Sequence, residues 1–377
     1  MSEKPGRSVR SLCVLGALCM GALGGCQVTK DNLATFKWAG YGNNNDSLQD
    51  WTGADGGAST ELPDGRHVYI YNDMFEGRVN PDGSRDHGLF TARNALVFAD
   101  TNNTPVSTLT APGGGDLLPA MPGNKRFMWG GGRGIIENNE LKLIANLIGP
   151  ADSLGDHQGT YIATFSLPGL QLVGGQAQLA PAAPPSVKKI FWADLFKHGS
   201  YTYIYGHGSG NDFGAYVARA PAGNLAGQWQ YRTASGWSTN AALAADMFPH
   251  MAGAPGVIEY QNQFYAFAME HADETSAASA LFSKNIRSCV ASTPYGPFPD
   301  SQCANIYNVP EAGQEVAQNT ILHAYAVSPH FDDINGDGML LSYSTHPLCL
   351  SNCPSTSANQ TDVTHYRPRW LRVLPDD

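Results

Sequence analysis

The feature that most constrains the fold of this chain is a pattern that recurs five times. Each copy is a short strand rich in aromatic and aliphatic residues, a polar turn, a second strand, and an exit through Gly or Pro. One such antiparallel sheet cannot bury both faces, whereas five sheets packed around an axis can do so and leave only short edges. The sequence therefore predicts an all-β fold, a five-bladed β-propeller, with a β-sandwich or jelly roll as the alternative. The copies begin at HVYIYNDMF, LKLIANLIG, YTYIYGHGS, NQFYAFAMEH and GMLLSYSTHP.

The N-terminus has the composition of an export signal. Three basic residues precede an apolar run that ends at Cys26, and the run of about 14 residues is too short to span a bilayer. Leu-Gly-Gly-Cys (23–26) resembles a bacterial lipoprotein box. We expect an exported bacterial lipoprotein of the outer membrane or cell surface, lipidated at Cys26 after removal of a signal peptide at 1–25. An ordinary signal peptide that contains a cysteine is the alternative.

Beyond the signal peptide, the sequence predicts a single folded domain. We expect residues 26–48 to form a lipidated N-terminus and tether, and residues 49–377 to form the propeller domain. The formal net charge of −10 argues against nucleic acid as a partner, because nucleic-acid binding needs clustered Lys and Arg. The expected protein is a monomer that contacts the membrane only through its lipid anchor.

Four cysteines remain beyond Cys26, and an even number in an exported chain indicates disulfides. Three connectivities are open. We favour Cys289–Cys303 and Cys349–Cys353, since each closes a short local loop.

The first copy of the pattern carries two acidic residues at one end of a predicted hairpin. Leu-Pro-Asp-Gly-Arg (62–66) is a turn signal, and it places Asp55 and Asp73 near one another on adjacent strands. They share a face if the turn is one residue looser than the tightest register, or if a bulge at Gly56 and Gly57 rotates Asp55. Facing like charges destabilise a sheet, so stability alone does not favour this arrangement.

Paired carboxylates suit glycoside hydrolysis, in which one protonates the leaving oxygen and the other attacks or activates water. Proximity would raise the pKa of one of them and hold it as the acid. The alternative is that Asp55 or Asp73 only caps a turn or binds backbone amides.

Four segments around this hairpin resemble the opening of a five-bladed propeller family long known as a domain of unknown function. Some of its members are associated with endo-D-arabinanase activity, within the wider group of furanosidase propellers. The resemblance implies that Asp55 and Asp73 are the catalytic acids and that Arg93 and Asn94 are the polar pair after them. Asn72 departs from the family, which commonly has Gly there. The segments are WTGADGG (51–57), LPDGR (62–66), YNDMF (71–75) and ARNALV (92–97).

Further candidates for substrate binding lie at predicted strand ends. Trp51 is a candidate platform for a sugar ring, and Arg93 could clamp a carboxylate. The others are Asn94, Asp194, His207 and Glu270.

The only cofactor for which the sequence offers a motif is a structural calcium ion, and we expect that no cofactor is required. Asp333, Asn335 and Asp337 alternate as in the first half of an EF-hand loop, but Ser344 stands where the bidentate Glu belongs. Asn-Gly-Asp-Gly is also a good hairpin turn, and we favour the turn.

The sequence therefore predicts a glycoside hydrolase that cleaves a furanoside polysaccharide, endo-acting on α-D-arabinan through Asp55 and Asp73. A non-catalytic carbohydrate-binding surface propeller is the alternative. It would keep aromatic side chains in the funnel but would not need the aspartates.

Overall fold

A computed structural model shows five small antiparallel sheets arranged as the blades of a β-propeller, as the repeat predicted. The structure describes residues 26–44, 50–86, 90–120, 127–149, 157–209, 212–271, 283–330, 338–352 and 358–375. Short strands of β-branched and aromatic residues alternate with turns of Gly, Asn, Asp and Pro, which explains why sheets form and why each stays small.

The first three blades follow the chain in order. The N-terminal elements are β1 (Cys26–Lys30) and α1 (Asn32–Gly42). Blade one contains β2 (Trp51–Glu61), β3 (His67–Glu76), β4 (Ala92–Ala99) and β5 (Pro105–Leu109). Blade two contains β6 (Phe127–Gly130), β7 (Ile135–Glu137), β8 (Glu140–Ile148), β9 (His157–Ser166) and β10 (Gln178–Leu179). Blade three contains β11 (Lys189–His198), β12 (Tyr201–Gly208), β13 (Ala215–Pro221), β14 (Gln230–Arg232) and β15 (Trp237–Ser238).

The last two blades complete the ring. Blade four contains β16 (Met251–Tyr260), β17 (Gln263–Glu270), β18 (Asn285–Ala291) and β19 (Cys303–Asn308). Blade five contains β20 (Glu315–Ala317), β21 (Thr320–His330), β22 (Met339–Cys349) and β23 (Arg369–Pro375). A short helix, α2 (Ala358–Thr361), lies between β22 and β23. Single 3-10 turns occur at Val173–Gly175, Pro185–Val187, Ala241–Leu243, Asp300–Gln302 and Val363–Tyr366.

The hydrophobic core is divided among the spaces between neighbouring blades. One cluster joins blades one and two, and similar clusters join two to three, three to four and four to five. The fifth joins blade five to blade one and includes Trp38 of α1 beside Trp51 and Trp370. Each sheet therefore buries both faces against its neighbours, which is why one blade would not be stable by itself.

The N-terminal segment closes the ring, which corrects the prediction of a tether. β1 pairs with β23, from Cys26 opposite Pro375 to Lys30 opposite Leu371. α1 follows directly, capped by the Asp31 carboxylate, which accepts the amide proton of Ala34 at 2.9 Å. The prediction of a tether over 26–48 is therefore wrong for the part from Cys26 to Gly42, because long-range pairing holds it on the propeller.

The local disulfide prediction is confirmed for one of its two pairs. Cys289 and Cys303 are bonded and stand opposite one another on β18 and β19. The predicted partner of Cys349, Cys353, lies outside the described residues. Among the residues that are described, no helix is long and apolar enough to cross a membrane.

Candidate active site

A cavity of about 530 Å³ opens at the centre of the ring. Residues of β2, β11, β16 and β21 line it, together with the glycine run 130–132, which begins at the last residue of β6. Glycine is required in that run, because a Cβ on Gly132 would lie 1.6 Å from the carbonyl oxygen of Ala193. Asp55 reaches this cavity from β2.

Two irregularities in the first hairpin bring Asp55 to the cavity wall. Near the turn Glu61 pairs with His67, which is the looser of the two registers considered from the sequence. A bulge then follows between Gly56 and Ala58, so that Asp55 stands opposite Asn72. The bulge and the looser turn occur together, and the positive φ angles of Gly56 and Gly57 (80° and 94°) permit the bulge.

Asp73 lies at a second register shift of the hairpin, opposite the stretch between Gly53 and Asp55, in a backbone conformation that is rare for residues other than glycine. Its φ is 39°, and its side chain is largely buried. Arg93 of β4 donates from Nη1 to Asp73 Oδ1 at 2.7 Å. The predicted contact of Arg93 with a carboxylate is therefore present, as a charge-assisted hydrogen bond.

The environment of Asp55 favours the protonated form of its carboxyl group. Burial, followed by the charge of Asp73, raises the pKa of Asp55 to about 8. The hydroxyl of Tyr325 donates to Asp55 Oδ2 at 2.9 Å, and Tyr366 also hydrogen-bonds to this carboxyl group. These donors and Arg93 lower the pKa without cancelling the rise. At neutral pH the site therefore contains one protonated aspartate beside one aspartate that is paired with an arginine.

Asp194 and His207 also line the cavity, but other groups of the protein already use their polar atoms. Asp194 accepts from Arg133 Nε at 3.1 Å and from the backbone N–H of Val257 at 3.1 Å. His207 Nε2 accepts from Trp192 Nε1 at 3.1 Å, while its Nδ1 lies 2.6 Å from the carbonyl oxygen of its neighbour Gly208. This arrangement requires the proton on Nδ1 of a neutral ring, and burial lowers the pKa of His207.

Four of the predicted binding residues do not line the cavity; Arg93 is paired with Asp73, and the predictions for the other three are wrong. Trp51 is 0% exposed, in the core beside α1, so no sugar can stack on it. The amide of Asn94 donates to the carbonyls of Leu118 and Met128, which fixes the link between blades one and two.

Glu270 is the third. Its carboxylate accepts from Asn285 Nδ2 and Asn305 Nδ2, both at 2.7 Å. Its neighbours on β17, Ala268 and Met269, line the cavity, but Glu270 does not.

The proposed calcium loop cannot be located. Asp333, Asn335 and Asp337 lie outside the described residues. Within the described part of the chain, no group of three or more His, Cys, Asp or Glu side chains is arranged to hold a metal ion.

Sequence reasoning missed the two tyrosines that contact Asp55. Tyr325 comes from β21 and Tyr366 from the 3-10 turn before β23, about 270 and 310 positions along the chain from Asp55. No motif or spacing connects residues so far apart. Blade five packs against blade one, and this closure of the ring brings both tyrosines to Asp55.

Comparison with solved structures supports the fold. A crystal structure of a protein from Bacteroides ovatus ATCC 8483, presumed to be a hydrolase, is 21% identical with a TM-score of 0.65, over 92% of this chain and 90% of that one. The GH43_1 enzyme from Xanthomonas citri is 14% identical with a TM-score of 0.46, over 86% and 87% of the two chains. The arabinanase Arb43A of Bacillus subtilis is 11% identical with a TM-score of 0.47, over 86% and 96%.

Comparison of sequences gives the family. A search of curated proteins found no match. The family model described as "Domain of unknown function (DUF5005)" matches residues 39–375, from within α1 to the end of β23. The hairpin with the two aspartates and the blade with the two tyrosines both fall inside that match, and the chain belongs to the DUF5005 family.

Proposed function

We propose that this protein is a glycoside hydrolase that cleaves a furanoside polysaccharide, acting internally on α-D-arabinan. The observation that carries the proposal is the unequal environment of two neighbouring aspartates, of which Asp55 lines the central cavity and Asp73 lies behind it, paired with Arg93. Burial and a nearby negative charge keep Asp55 protonated, while Arg93 pairs with Asp73. The resemblance of the hairpin segments to endo-D-arabinanase propellers supplies the substrate.

The roles follow from these environments. Asp55 has a pKa of about 8, so at neutral pH it holds a proton that it can give to the glycosidic oxygen of the leaving sugar. Asp73, as the carboxylate, attacks the anomeric carbon or removes a proton from the attacking water. The electron pair of the broken C–O bond goes to the leaving oxygen, which receives the proton from Asp55.

Replacement of the two aspartates tests this function. We expect Asp55→Asn and Asp73→Asn each to lower kcat by roughly 10²–10⁴-fold, the usual contribution of a general acid or base. The measurement is the release of oligosaccharides from a panel of D-arabinan, L-arabinan, xylan and galactan. Asp64→Asn is the matched control, because Asp64 lies in the turn of the same hairpin and contacts only its neighbour Arg66 in the hydrogen bonds described.

The outcomes separate catalysis from binding. If both variants cleave D-arabinan as fast as the wild type, the assignment fails. If the wild type binds a glycan of the panel and cleaves none of them, the protein is a carbohydrate-binding propeller. Cleavage of another furanoside but not of D-arabinan would keep the mechanism and replace the substrate.

We also propose that Cys26 is lipidated and that the protein is an exported lipoprotein. β1 begins at this residue, so the lipid would join the propeller without a spacer. Metabolic labelling with a palmitate analogue, compared between the wild type and Cys26→Ser, tests the anchor. An unlabelled wild type would contradict it.

A further inference from the structure

Two tyrosine hydroxyl groups from blade five converge on the Asp55 carboxyl group of blade one. Tyr325 donates to Asp55 Oδ2 at 2.9 Å. Tyr366 hydrogen-bonds to the same carboxyl group and also to Tyr325. The contact joins the last blade to the first, so it exists only when the ring is closed.

Each tyrosine ring is held by its surroundings. Tyr325 precedes a bulge in β21, where the register shifts before Ser328 and Ala326 has a φ of 51°. Its ring stacks on His323, with ring centres 4.7 Å apart and an interplanar angle of 17°. The bulge and the stacking partner together direct the Tyr325 hydroxyl toward Asp55.

Tyr366 is held more tightly. It is 1% exposed and ends the 3-10 turn Val363–Tyr366. Its ring packs edge-on against Phe75 at 5.5 Å and against His346 at 5.1 Å. A residue packed in this way cannot turn its hydroxyl elsewhere without disturbing the core.

Both hydroxyl groups keep their protons and can donate them to the ionised carboxylate of Asp55. Burial and the nearby aspartates raise the pKa values of Tyr325 and Tyr366 well above the ordinary tyrosine value, so neither ionises in the working range. The other charged groups that act on Asp55 are Asp73 and Arg93. The phenols therefore add no charge and serve as fixed dipoles that stabilise the ionised carboxylate.

We propose that Tyr325 and Tyr366 are positioning residues for Asp55, which orient its carboxyl group and set the pH at which it loses its proton. The inference deepens the proposed function and rests on the role of Asp55 as the acid. A carboxylic acid without such donors would remain protonated to higher pH, but it would be free to rotate away from the leaving oxygen. The two phenols thus lower the pKa of Asp55 somewhat and hold its carboxyl group in one orientation.

Tyr325→Phe, which removes one hydroxyl and keeps the ring, is the test. Without this donor the ionised form of Asp55 loses a hydrogen bond, so its pKa rises and the alkaline limb of kcat/KM moves up by roughly one pH unit. We expect kcat at the plateau to fall by roughly tenfold or more, because the acid is less well oriented, with KM nearly unchanged. Tyr366→Phe should change the limb and kcat in the same directions.

Tyr343→Phe is the matched control. Tyr343 is also buried in blade five, and its hydroxyl donates to Glu311 Oε2 at 2.9 Å, so the variant also loses one buried hydrogen bond. A purely structural effect would appear equally in Tyr343→Phe and would lower thermal stability without moving the alkaline limb. A limb that shifts in Tyr325→Phe and stays in Tyr343→Phe supports the inference.

A second measurement does not depend on activity. Carboxyl ¹³C NMR titration, with the Asp55 signal identified by its loss in Asp55→Asn, gives the pKa of Asp55 directly. A pKa that is the same in the wild type and in Tyr325→Phe overturns the inference, even if Asp55→Asn abolishes cleavage and the proposed function stands. A higher pKa in Tyr325→Phe supports the inference, even if none of the glycans on the panel is cleaved.

Discussion

Asp55 and Asp194 line the same cavity, yet the protein uses their carboxyl groups in opposite ways. Asp194 meets the guanidinium of Arg133 and accepts the backbone N–H groups of Leu195 and Val257. Asp55 meets no cation directly in the contacts described; it is bound by hydroxyl groups and faces the charge of Asp73. Burial raises the pKa of both, but at Asp194 Arg133 is the largest opposing influence.

The difference separates a structural carboxylate from the one proposed to be the catalytic acid. Arg133 lies in blade two, Asp194 in blade three, and Arg133 also donates to the Val257 carbonyl of blade four. This ion pair therefore fastens three blades near the axis. In the contacts described, no cation pairs directly with the Asp55 carboxylate, so this carboxyl group keeps its proton to higher pH. We infer that a buried carboxylate paired with a cation stabilises the fold, whereas one bound by hydroxyl groups stays available for proton transfer.

The largest effect should come from breaking the structural pair. Arg133→Met leaves the Asp194 charge buried without its cation, and we expect a loss of about 3–5 kcal/mol in the free energy of unfolding. Urea denaturation measures it. The control is Arg66→Met, which breaks the exposed pair with Asp64 and should cost about 1 kcal/mol or less. Equal losses in the two variants would show that Arg133 does not fasten the blades.

Removing the Asp55 carboxylate, the proposed acid, should change the free energy of unfolding in the opposite direction. The pKa of Asp55 is about 8 in the fold against an ordinary 3.8, so between these values the unfolded chain releases a proton that the fold retains. Its contribution to stability therefore falls as the pH rises through this window, and it stays low above pH 8.

We accordingly expect Asp55→Asn to raise the free energy of unfolding by about 1–2 kcal/mol at pH 9 and to change it little at pH 3. Thermal melts across this range measure the change. Asp64→Asn, whose aspartate has a pKa lowered by Arg66, should show a small change of opposite sign. A destabilised Asp55→Asn at pH 9 would place Asp55 with Asp194 among the structural carboxylates.

The smallest expected effect concerns Arg93, a cation that pairs with Asp73 and also lowers the pKa of Asp55. Arg93→Met removes a positive charge that lowers the pKa of Asp55, so the alkaline limb of activity, near pH 8 in the wild type, should move up by less than about one unit. Initial rates between pH 5 and 10 measure it. Arg93→Lys keeps the charge and should keep the limb in place; a limb that moves equally in both variants would contradict an electrostatic cause.

Short-range features were predictable. The fivefold repeat gave the architecture, because strand patterning and turn residues act within one blade. The hairpin turn at 62–66 and the bulge glycines gave the approach of Asp55 to Asp73 across 18 positions. Cys289 and Cys303 are 14 positions apart, and their pairing followed from the same locality.

Long-range features were not predictable. Trp51 looked like a sugar platform from its place beside Asp55, but α1 covers its ring with Trp38. Residues 26–48 looked like a tether, since nothing local marks β1 (Cys26–Lys30) as the partner of β23. In both cases the deciding contact comes from another part of the chain that pattern alone does not identify.

The sequence by itself determined that this chain forms five small sheets and that two acids meet at the end of the first hairpin, because these outcomes depend on neighbouring residues. Only the tertiary structure decided which acid keeps its proton. That choice depends on burial in the central cavity, on Arg93 beside Asp73, and on two hydroxyl groups that ring closure brings from blade five to Asp55. Electrostatic energy depends on distance in space, and distance in space across a closed ring bears no simple relation to distance along the chain.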